Sequence, residues 1–130
     1  MEVLLVDDDE VFNYMNQAIV ERVSANAVTK VFNSGLEIFN HITSSDYICT
    51  DACLVLLDIR MPEMNGFEFL EEVEKLEKKP LSKAVIYMLS STLDERDLNR
   101  SRRNELVKGF ISKPLTVERF REILWENNML

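Results

Sequence analysis

The sequence lacks a long apolar run, a basic start and an excess of positive charge. No apolar stretch approaches the roughly 20 residues that a membrane-spanning helix needs. Residues 1–6 have neither the basic start nor the long apolar stretch of a signal peptide. A net charge of −8 argues against direct binding to nucleic acid, which needs a basic surface. We therefore expect a cytoplasmic protein that binds neither membranes nor nucleic acids directly.

Cysteine and histidine are scarce as well. Cys49 and Cys53 have no second cysteine pair and no nearby histidine, which argues against a cysteine-based metal site. We interpret them as two reduced thiols, with Cys53 packed in a strand, in agreement with a cytoplasmic location. The single histidine, His41, is expected to be a surface or partly packed helix residue and not a phosphoacceptor on a helical bundle.

The chain also lacks a linker rich in Pro, Gly or Ser, an internal repeat and a low-complexity tract. Its 130 residues suggest one domain with room for a substantial core. The contents of 46% hydrophobic and 29% charged residues are ordinary for a globular protein. We expect residues 1–130 to form a single domain, with no output domain after the last helix.

What the chain does have is a regular alternation of strand-like and helix-like segments. Strands are predicted at 2–7, 27–32, 52–58, 84–90 and 108–112, and helices at 10–24, 35–44, 66–77, 93–105 and 116–126. Because helices separate the strands, the pattern predicts a parallel sheet covered on both faces.

Local signals mark several helix starts and one buried helix face. The stretches from Ser34 to Glu37 and from Thr92 to Glu95 predict capping boxes, and Thr116 is expected to cap the last helix. In the first helix, apolar residues at spacings of three and four predict the side that faces the core: Phe12, Met15, Ile19 and Val23.

Four of the apolar strands run into side chains that carry chemistry. The first is followed by Asp7-Asp8-Asp9, the third ends in Asp58, the fourth ends in Ser90, and the fifth runs into Lys113-Pro114. The carboxyl ends of parallel strands meet at one edge of a sheet, so these groups should converge on the crevice where open α/β sheets bind ligands. Such a site would hold a divalent cation and accept or transfer a phosphoryl group.

The order and spacing of these residues match a known family. The matching residues are Asp7-Asp8, Asp58 with Met61-Pro62 and Asn65-Gly66, Ser90, and Lys113-Pro114. Together they resemble the receiver domain of a bacterial two-component response regulator, of the single-domain type found in chemotaxis. The resemblance covers nearly all 130 residues. It implies a flavodoxin-like, doubly wound α/β fold, in which a five-stranded parallel sheet of order 2-1-3-4-5 is accompanied by five helices.

The resemblance also implies roles in the crevice. Asp58 would accept a phosphoryl group from a phosphohistidine of a histidine kinase or a histidine phosphotransfer protein, while Mg²⁺ (or Mn²⁺) and Lys113 neutralise charge. Asp8, Asp58 and the backbone carbonyl of Arg60 would ligate the metal, and Asp7 would hold a metal-bound water. Oxygen ligands of this kind are what Mg²⁺ requires. The bond between Lys113 and the following proline is expected to be cis.

The resemblance further implies a switch. The Ser90 hydroxyl would donate to the phosphoryl group, and Phe110 would move inward with it, although a plain core aromatic suits Phe110 equally well. Binding of an unknown downstream protein would then change at the face of the fourth helix, fifth strand and fifth helix. The basic residues there form either a solvated helix face or a docking surface for an acidic partner: Arg96, Arg100, Arg102 and Arg103. Such a chain is a signalling domain that assists its own phosphorylation and dephosphorylation, and not an enzyme.

Some positions depart from the family pattern. Ser91 stands where a smaller residue is usual, and residues 104–109 replace the commoner turn before the last strand. Arg60 and Thr92 occupy the variable positions that flank the phosphoryl group in the family and tune its lifetime. The Arg60 side chain could reach the phosphoryl oxygens or obstruct the attacking water, and the sequence does not choose between these.

One alternative is a magnesium-dependent phosphohydrolase of the haloacid dehalogenase type. The sequence from Asp7 also fits the Asp-x-Asp-x-Val motif of that family, with Asp7 as the nucleophile and Asp9 as the acid/base. That family has a late acidic pair, but only isolated glutamates follow Lys113. The hydrolase also leaves Met61-Pro62 and Asn65-Gly66 unexplained. A third possibility, a pseudo-receiver that serves as a scaffold, would lack an acid or the lysine, and none is missing.

Overall fold

The computed structural model describes residues 1–48, 52–91 and 94–130. Five strands and five helices alternate within these ranges: β1 (Glu2–Val6), α1 (Glu10–Val23), β2 (Val28–Phe32), α2 (Gly35–Ile42), β3 (Cys53–Asp58), α3 (Gly66–Glu74), β4 (Val85–Ser90), α4 (Glu95–Arg103), β5 (Val107–Ser112) and α5 (Val117–Glu126). The strands form one parallel sheet in the order β2-β1-β3-β4-β5. The predicted fold class and strand order are confirmed. None of the described helices is long and apolar enough to cross a membrane.

Apolar side chains fill both faces of the sheet. β3 is buried along its whole length, as predicted for Cys53, and successive side chains of a strand point to opposite faces. Val55 and Leu57 therefore pack with α2 and α3 in one cluster, the α2/α3 cluster. Leu54 and Leu56 pack with α1 and α5 in another, the α1/α5 cluster. Among the described residues, none of α4 belongs to either cluster.

The predicted apolar stripe of α1 is confirmed only in part: Ile19 and Val23 pack against the α1/α5 cluster, but the buried face is rotated away from Met15, which is 41% exposed. The residues that α1 buries are Asn13, Asn16 and Val20. The Asn13 side chain explains the rotation, because its Nδ2 donates to the main-chain carbonyls of Asp7 at 2.8 Å and Phe32 at 3.3 Å. These bonds tie the ends of β1 and β2 to α1, and they outweigh the apolar pattern. Three members of the predicted stripe are partly buried at its margin: Phe12, Ile19 and Val23.

The predicted caps of α5 and α2 form, one of them only in part. Thr116 Oγ1 accepts the N–H of Arg119 at 3.1 Å, which confirms the cap of α5. Ser34 Oγ accepts the N–H of Glu37 at 3.1 Å, as a capping box requires. The Glu37 carboxylate, however, accepts the N–H of Asn33 at 2.7 Å. Only one half of the predicted box is therefore present.

The start of α4 differs from the prediction. The N-cap is Asp94, whose side chain accepts the N–H of Arg96 at 2.8 Å, so the helix begins at Glu95, later than predicted. Thr92 and Cys49 themselves lie outside the described residues. A capping box that was not predicted starts α3, formed by Asn65 and Glu68.

His41 is partly packed, as predicted. The centre of its ring lies 5.1 Å from those of Phe32 and Tyr47. Burial, and after it the charge of Lys30, lowers the pKa of His41 below its usual value. The histidine therefore serves packing at the end of α2, away from the strand ends that carry the predicted site.

Candidate functional site

Three aspartates come together at the carboxyl edge of the sheet. Asp7 and Asp8 follow β1, and Asp58 is the last residue of the neighbouring strand β3. The pairing of Val6 with Leu57 brings Asp7 level with Asp58. One carboxylate oxygen of each aspartate lies within 4.8 Å of those of the other two. Asp7 and Asp58 are only 0% and 3% exposed, whereas Asp8 is exposed, so the cluster opens to solvent on one side.

The ammonium group of Lys113 lies between two of these carboxylates. Its Nζ is 2.6 Å from Oδ2 of Asp7 and 3.2 Å from Oδ1 of Asp58. The same atom lies 4.5 Å from the centre of the Phe12 ring. The main chain fixes this position, because the N–H of Lys113 donates to the carbonyl of Ser90 at 2.8 Å, and the peptide bond that follows Lys113 is cis as predicted. The buried ammonium is thus paired with two acids, as burial of a charge requires.

Burial makes it hard for the neighbouring carboxylates to be ionised together. Burial, and next to it the Asp7 carboxylate, raises the pKa of Asp58 to about 7, against the opposing effect of Lys113. Burial by itself lowers the pKa of Lys113, but hydrogen bonds and charges of Asp7 and Asp58 outweigh it and raise that pKa. Lys113 is therefore charged at neutral pH, while Asp58 is divided between its two protonation states. A divalent cation beside these oxygens would favour the ionised form.

The donor set fits a hard divalent cation. Clustered carboxylate oxygens are the ligands that Mg²⁺ prefers, and Mg²⁺ usually keeps several waters, for which the exposed side of Asp8 leaves access. The predicted carbonyl ligand, that of Arg60, belongs to the loop that leaves Asp58. Asp7 Oδ1 accepts the N–H of Asp9 at 2.9 Å, and Asp7 Oδ2 lies 2.6 Å from Nζ of Lys113. The water-mediated role of Asp7 stays a prediction.

The loop after Asp58 is drawn tightly against the sheet. Ile59 N–H donates to the carbonyl of Leu89 at 3.0 Å, and Gly66 N–H donates to the carbonyl of Ile59 at 2.9 Å. A side chain at Gly66 would place its Cβ 2.6 Å from the carbonyl oxygen of Asp58, so only glycine allows this approach. In the middle of the loop, Glu63 has a φ of 67°, the left-handed region that few non-glycine residues adopt.

The predicted switch residues lie on neighbouring strands. Ser90 ends β4 and is 0% exposed, and it lies level with Ser112 of β5. Phe110 is partly buried and packs against the α2/α3 cluster. A cleft of about 320 Å³ lies beside Phe110, between α4 and β5. Space for a change in the position of Phe110 is thus available, and its role as a switch stays a prediction.

Two contacts of the site were not predicted. Asn13 holds the carbonyl of Asp7, and its only signal in the sequence is a polar residue beside the apolar stripe of the first helix. Arg60 points to α4, where its guanidinium lies 2.6 Å from Oδ2 of Asp97 and 3.9 Å from Oδ2 of Asp94. Residues 60 and 97 are 37 positions apart, so no local pattern connects them.

Comparisons with known proteins agree with this geometry. The sequence profile of the response regulator receiver domain matches residues 3–124. The chain is 31% identical over 132 residues to the autoinducer 1 sensor kinase/phosphatase LuxN of Vibrio harveyi, a match that covers 96% of this chain and 13% of LuxN. It is 30% identical over 124 residues to the chemotaxis protein CheY of Listeria monocytogenes, covering 95% of both.

The fold has equally clear relatives among solved structures. The crystal structure of a response regulator receiver protein from Dyadobacter fermentans superposes with a TM-score of 0.85 at 26% identity, and the match covers 98% of both chains. None of these similarities supports the haloacid dehalogenase alternative. This chain spans only 13% of the length of LuxN, so the similarity concerns one domain of that protein and not its whole activity. The chain belongs to the family of response regulator receiver domains, the phosphoacceptor domains of two-component signalling.

Proposed function

We propose that Asp58 is the phosphoacceptor of this receiver, and that the donor is a phosphohistidine on a histidine kinase or a histidine phosphotransfer protein. One observation carries the proposal: Asp58 ends a buried strand within 4.8 Å of two further carboxylates and 3.2 Å from the Lys113 ammonium. An acceptor carboxylate needs neighbouring positive charge when a phosphoryl group arrives, and this arrangement provides a cation site and a lysine.

The reaction is a direct phosphoryl transfer between two side chains. A carboxylate oxygen of Asp58 forms the new bond to phosphorus while the bond from phosphorus to the donor imidazole nitrogen breaks, and its electron pair stays on that nitrogen. Mg²⁺, or Mn²⁺, held by Asp8, Asp58, the Arg60 carbonyl and, through water, Asp7, would neutralise the phosphoryl oxygens. The chain in this proposal is a signalling domain, not an enzyme acting on other substrates.

Lys113 and Ser90 are proposed to recognise the phosphoryl group after transfer. Lys113 already lies 3.2 Å from Asp58, so a small movement away from Asp7 would bring it to a phosphoryl oxygen. The hydroxyl of Ser90 would donate to another oxygen, and Phe110 would turn inward beside the cleft between α4 and β5. These bonds exist only in the modified state and therefore bias a two-state equilibrium.

The donor must bring its phosphohistidine to Asp58, so its docking surface should border the site. The first turns of α1 leave the acidic cluster directly, and they expose apolar side chains at Val11 (65%), Tyr14 (76%) and Met15 (41%). Exposed apolar groups that lie together are typical of protein contact surfaces. We propose this part of α1 as the donor side of the receiver.

Output is proposed to pass to a downstream protein through α4, β5 and α5. Two of the four arginines predicted to lie there are engaged: Arg100 with Glu71 at 2.9 Å, and Arg96 with Asp94 at 3.4 Å. Arg102 and Arg103 are exposed at the end of α4 and are the better candidates for steering an acidic partner. The location in the cytoplasm and the action of residues 1–130 as one receiver unit remain part of this proposal.

A test of the acceptor uses a small acyl-phosphate donor with Mg²⁺, followed by intact mass and mapping of the adduct. We expect one phosphoryl group on Asp58, no adduct in Asp58→Asn, and loss of the reaction in excess chelator or in Asp8→Ala. Asp9→Asn is the matched control, because the Asp9 carboxylate caps α1 and should leave the adduct unchanged. An adduct on Asp7, or an undiminished adduct in Asp58→Asn, would contradict the proposal and favour the hydrolase.

A further inference from the structure

The attachment of α4 to the rest of the molecule is polar. Its nine residues bury only Asp97 and Ser101, and the single apolar residue of the helix, Leu98, is partly buried. The Oγ of Ser101 is buried without a hydrogen-bond partner among the described residues. Hydrophobic burial, the main force that holds helices to a sheet, therefore contributes little here.

Two arginine contacts attach α4 to the rest of the molecule where hydrophobic burial contributes little. Arg60, in the loop after Asp58, reaches forward to Asp97 at 2.6 Å. Arg100, on α4, reaches back to Glu71 of α3 at 2.9 Å and lies 4.5 Å over the ring of Phe67. Beneath α4, the cleft of about 320 Å³ separates the helix from part of β5. The ion pair between Arg60 and Asp97 thus holds the first turn of α4 to the loop after Asp58.

Arg60 is also close to the proposed phosphoryl group. It follows Asp58 by two residues, so the two Cα atoms are at most about 7 Å apart even along a fully extended chain. The arginine side chain is flexible and 61% exposed, while the Asp97 side chain is 13% exposed. At this exposure, the Arg60 guanidinium has solvent space in which to turn from one acid to the other.

Phosphorylation would change the competition for this guanidinium. A phosphoryl group brings about −1.5 to −2 charge and three acceptor oxygens, against the single charge of a carboxylate. A planar guanidinium binds phosphate with two parallel hydrogen bonds, which makes arginine well suited to the exchange. After losing Arg60, the Asp97 carboxylate would still interact favourably with the helix dipole, because it lies in the first turn of α4.

We propose that the Asp97 carboxylate binds the Arg60 guanidinium in the unphosphorylated protein. Phosphorylation of Asp58 transfers the guanidinium from Asp97 to the phosphoryl oxygens and releases the first turn of α4 from the loop after Asp58. This inference rests on the proposed function of Asp58. It gives α4 a connection to the site that is separate from Ser90 and Phe110. The Arg60 side chain is therefore bound to α4 before phosphorylation, and it reaches the phosphoryl oxygens only after the acyl phosphate has formed.

The exchange predicts the lifetime of the acyl phosphate. A guanidinium bound to the phosphoryl oxygens covers the solvent side from which water must attack. Asp97→Asn removes the nearer of the two carboxylates that compete for Arg60 and should lengthen the lifetime about threefold or more, a factor that corresponds to loss of a modest ion pair. Arg60→Gln should shorten it by a similar factor. In the double variant Asp97→Asn should have no effect, because Asp97 acts only through Arg60.

A second readout follows α4 itself by amide hydrogen exchange. Phosphorylation should quicken exchange in residues 95–103 of the natural sequence. In Asp97→Asn, exchange should already be fast and should not respond further. Arg100→Gln is the matched control, because it removes the other arginine contact of α4 and should leave the response to phosphorylation intact.

Intact mass, measured on every sample, separates failure of this inference from failure of the proposed function. Absence of an adduct on Asp58 would refute the proposed function itself. With the adduct present, unchanged exchange in α4 would overturn the inference. So would an effect of Asp97→Asn on lifetime that persists without Arg60, since Asp97 would then act through the fold and not as the positioning residue of Arg60.

Discussion

Two neighbouring helices of equal length, α3 and α4, are attached to the molecule by different forces. Each has nine residues. The side chains that α3 buries are those of Phe67, Phe69, Leu70 and Val73. Burial of each contributes about 1.5–3 kcal/mol, whereas α4 depends on ion pairs whose arginines are exposed to solvent, worth about 0–1 kcal/mol each. α3 is therefore a fixed support for the loop that follows Asp58, and α4 is the helix whose attachment a change of charge would weaken.

The largest expected effect is a difference in stability between equivalent changes in the two helices. Leu70→Ala removes a fully buried side chain and should lower the free energy of unfolding by about 2–5 kcal/mol. Leu98→Ala, the matched change in α4, should cost less than about 1 kcal/mol because Leu98 is only partly buried. Urea denaturation measures both. Similar losses at the two positions would remove the distinction between the helices.

The next-largest effect is a dependence of the free energy of unfolding on pH, caused by the buried Asp58 carboxylate. Because the pKa of Asp58 is raised from 3.8 to about 7, the folded protein keeps a proton that the unfolded chain releases. Without metal, the free energy of unfolding should therefore fall as the pH rises from about 4 to about 7.

Asp58→Asn should remove that dependence on pH. At about pH 8 in chelator, we expect the variant to be more stable than the natural protein by about 1–2 kcal/mol, and at about pH 4 nearly equal to it. The full shift would correspond to about 4 kcal/mol, but the amide also loses the ion pair with Lys113. Urea denaturation at both pH values is the measurement. A variant that is less stable at the higher pH would mean that Lys113 fully compensates for burial.

A smaller effect is expected from salt. Ion pairs on the surface are screened at high ionic strength, so amide exchange in α4 should quicken about two- to fivefold between low and high salt. Exchange in α3 should stay constant or slow, because salt does not weaken apolar burial. Hydrogen exchange with mass spectrometry resolves the two helices. Equal responses would show that the arginine contacts do not hold α4.

The smallest effect lies in the loop that α3 supports. Glu63 has a φ of 67°, and Glu63→Gly should relieve about 1 kcal/mol of backbone strain, partly offset by the greater freedom of glycine in the unfolded chain. We expect a net gain of about 0.5 kcal/mol or less in urea denaturation. Glu77→Gly, in an exposed loop position without positive φ, is the control and should lose stability. A loss at both positions would mean that hydrogen bonds in the loop offset the strain.

The sequence was sufficient for the parts of this molecule that repeat or that end a strand. Alternation of strands and helices predicted the sheet, and polar residues after apolar runs predicted that Asp7, Asp58 and Lys113 would meet at the strand ends. It was insufficient where a distant partner decides the outcome. The orientation of α1 depends on where Asn13 finds carbonyls at the ends of two strands. The position of the Arg60 side chain depends on an acid in α4, a helix that α3 and β4 separate from the Arg60 loop along the chain.

The strand order determines when the site forms during synthesis and folding of the protein. Asp7 follows β1, Asp58 ends β3 and Lys113 follows β5, so the complete group of acids and lysine exists only after residue 113 has been synthesised and β5 has docked. Contacts between residues so far apart in sequence form late in folding. An incomplete or misfolded chain would therefore be a poor phosphoryl acceptor, and signal would be received only by molecules that have finished folding.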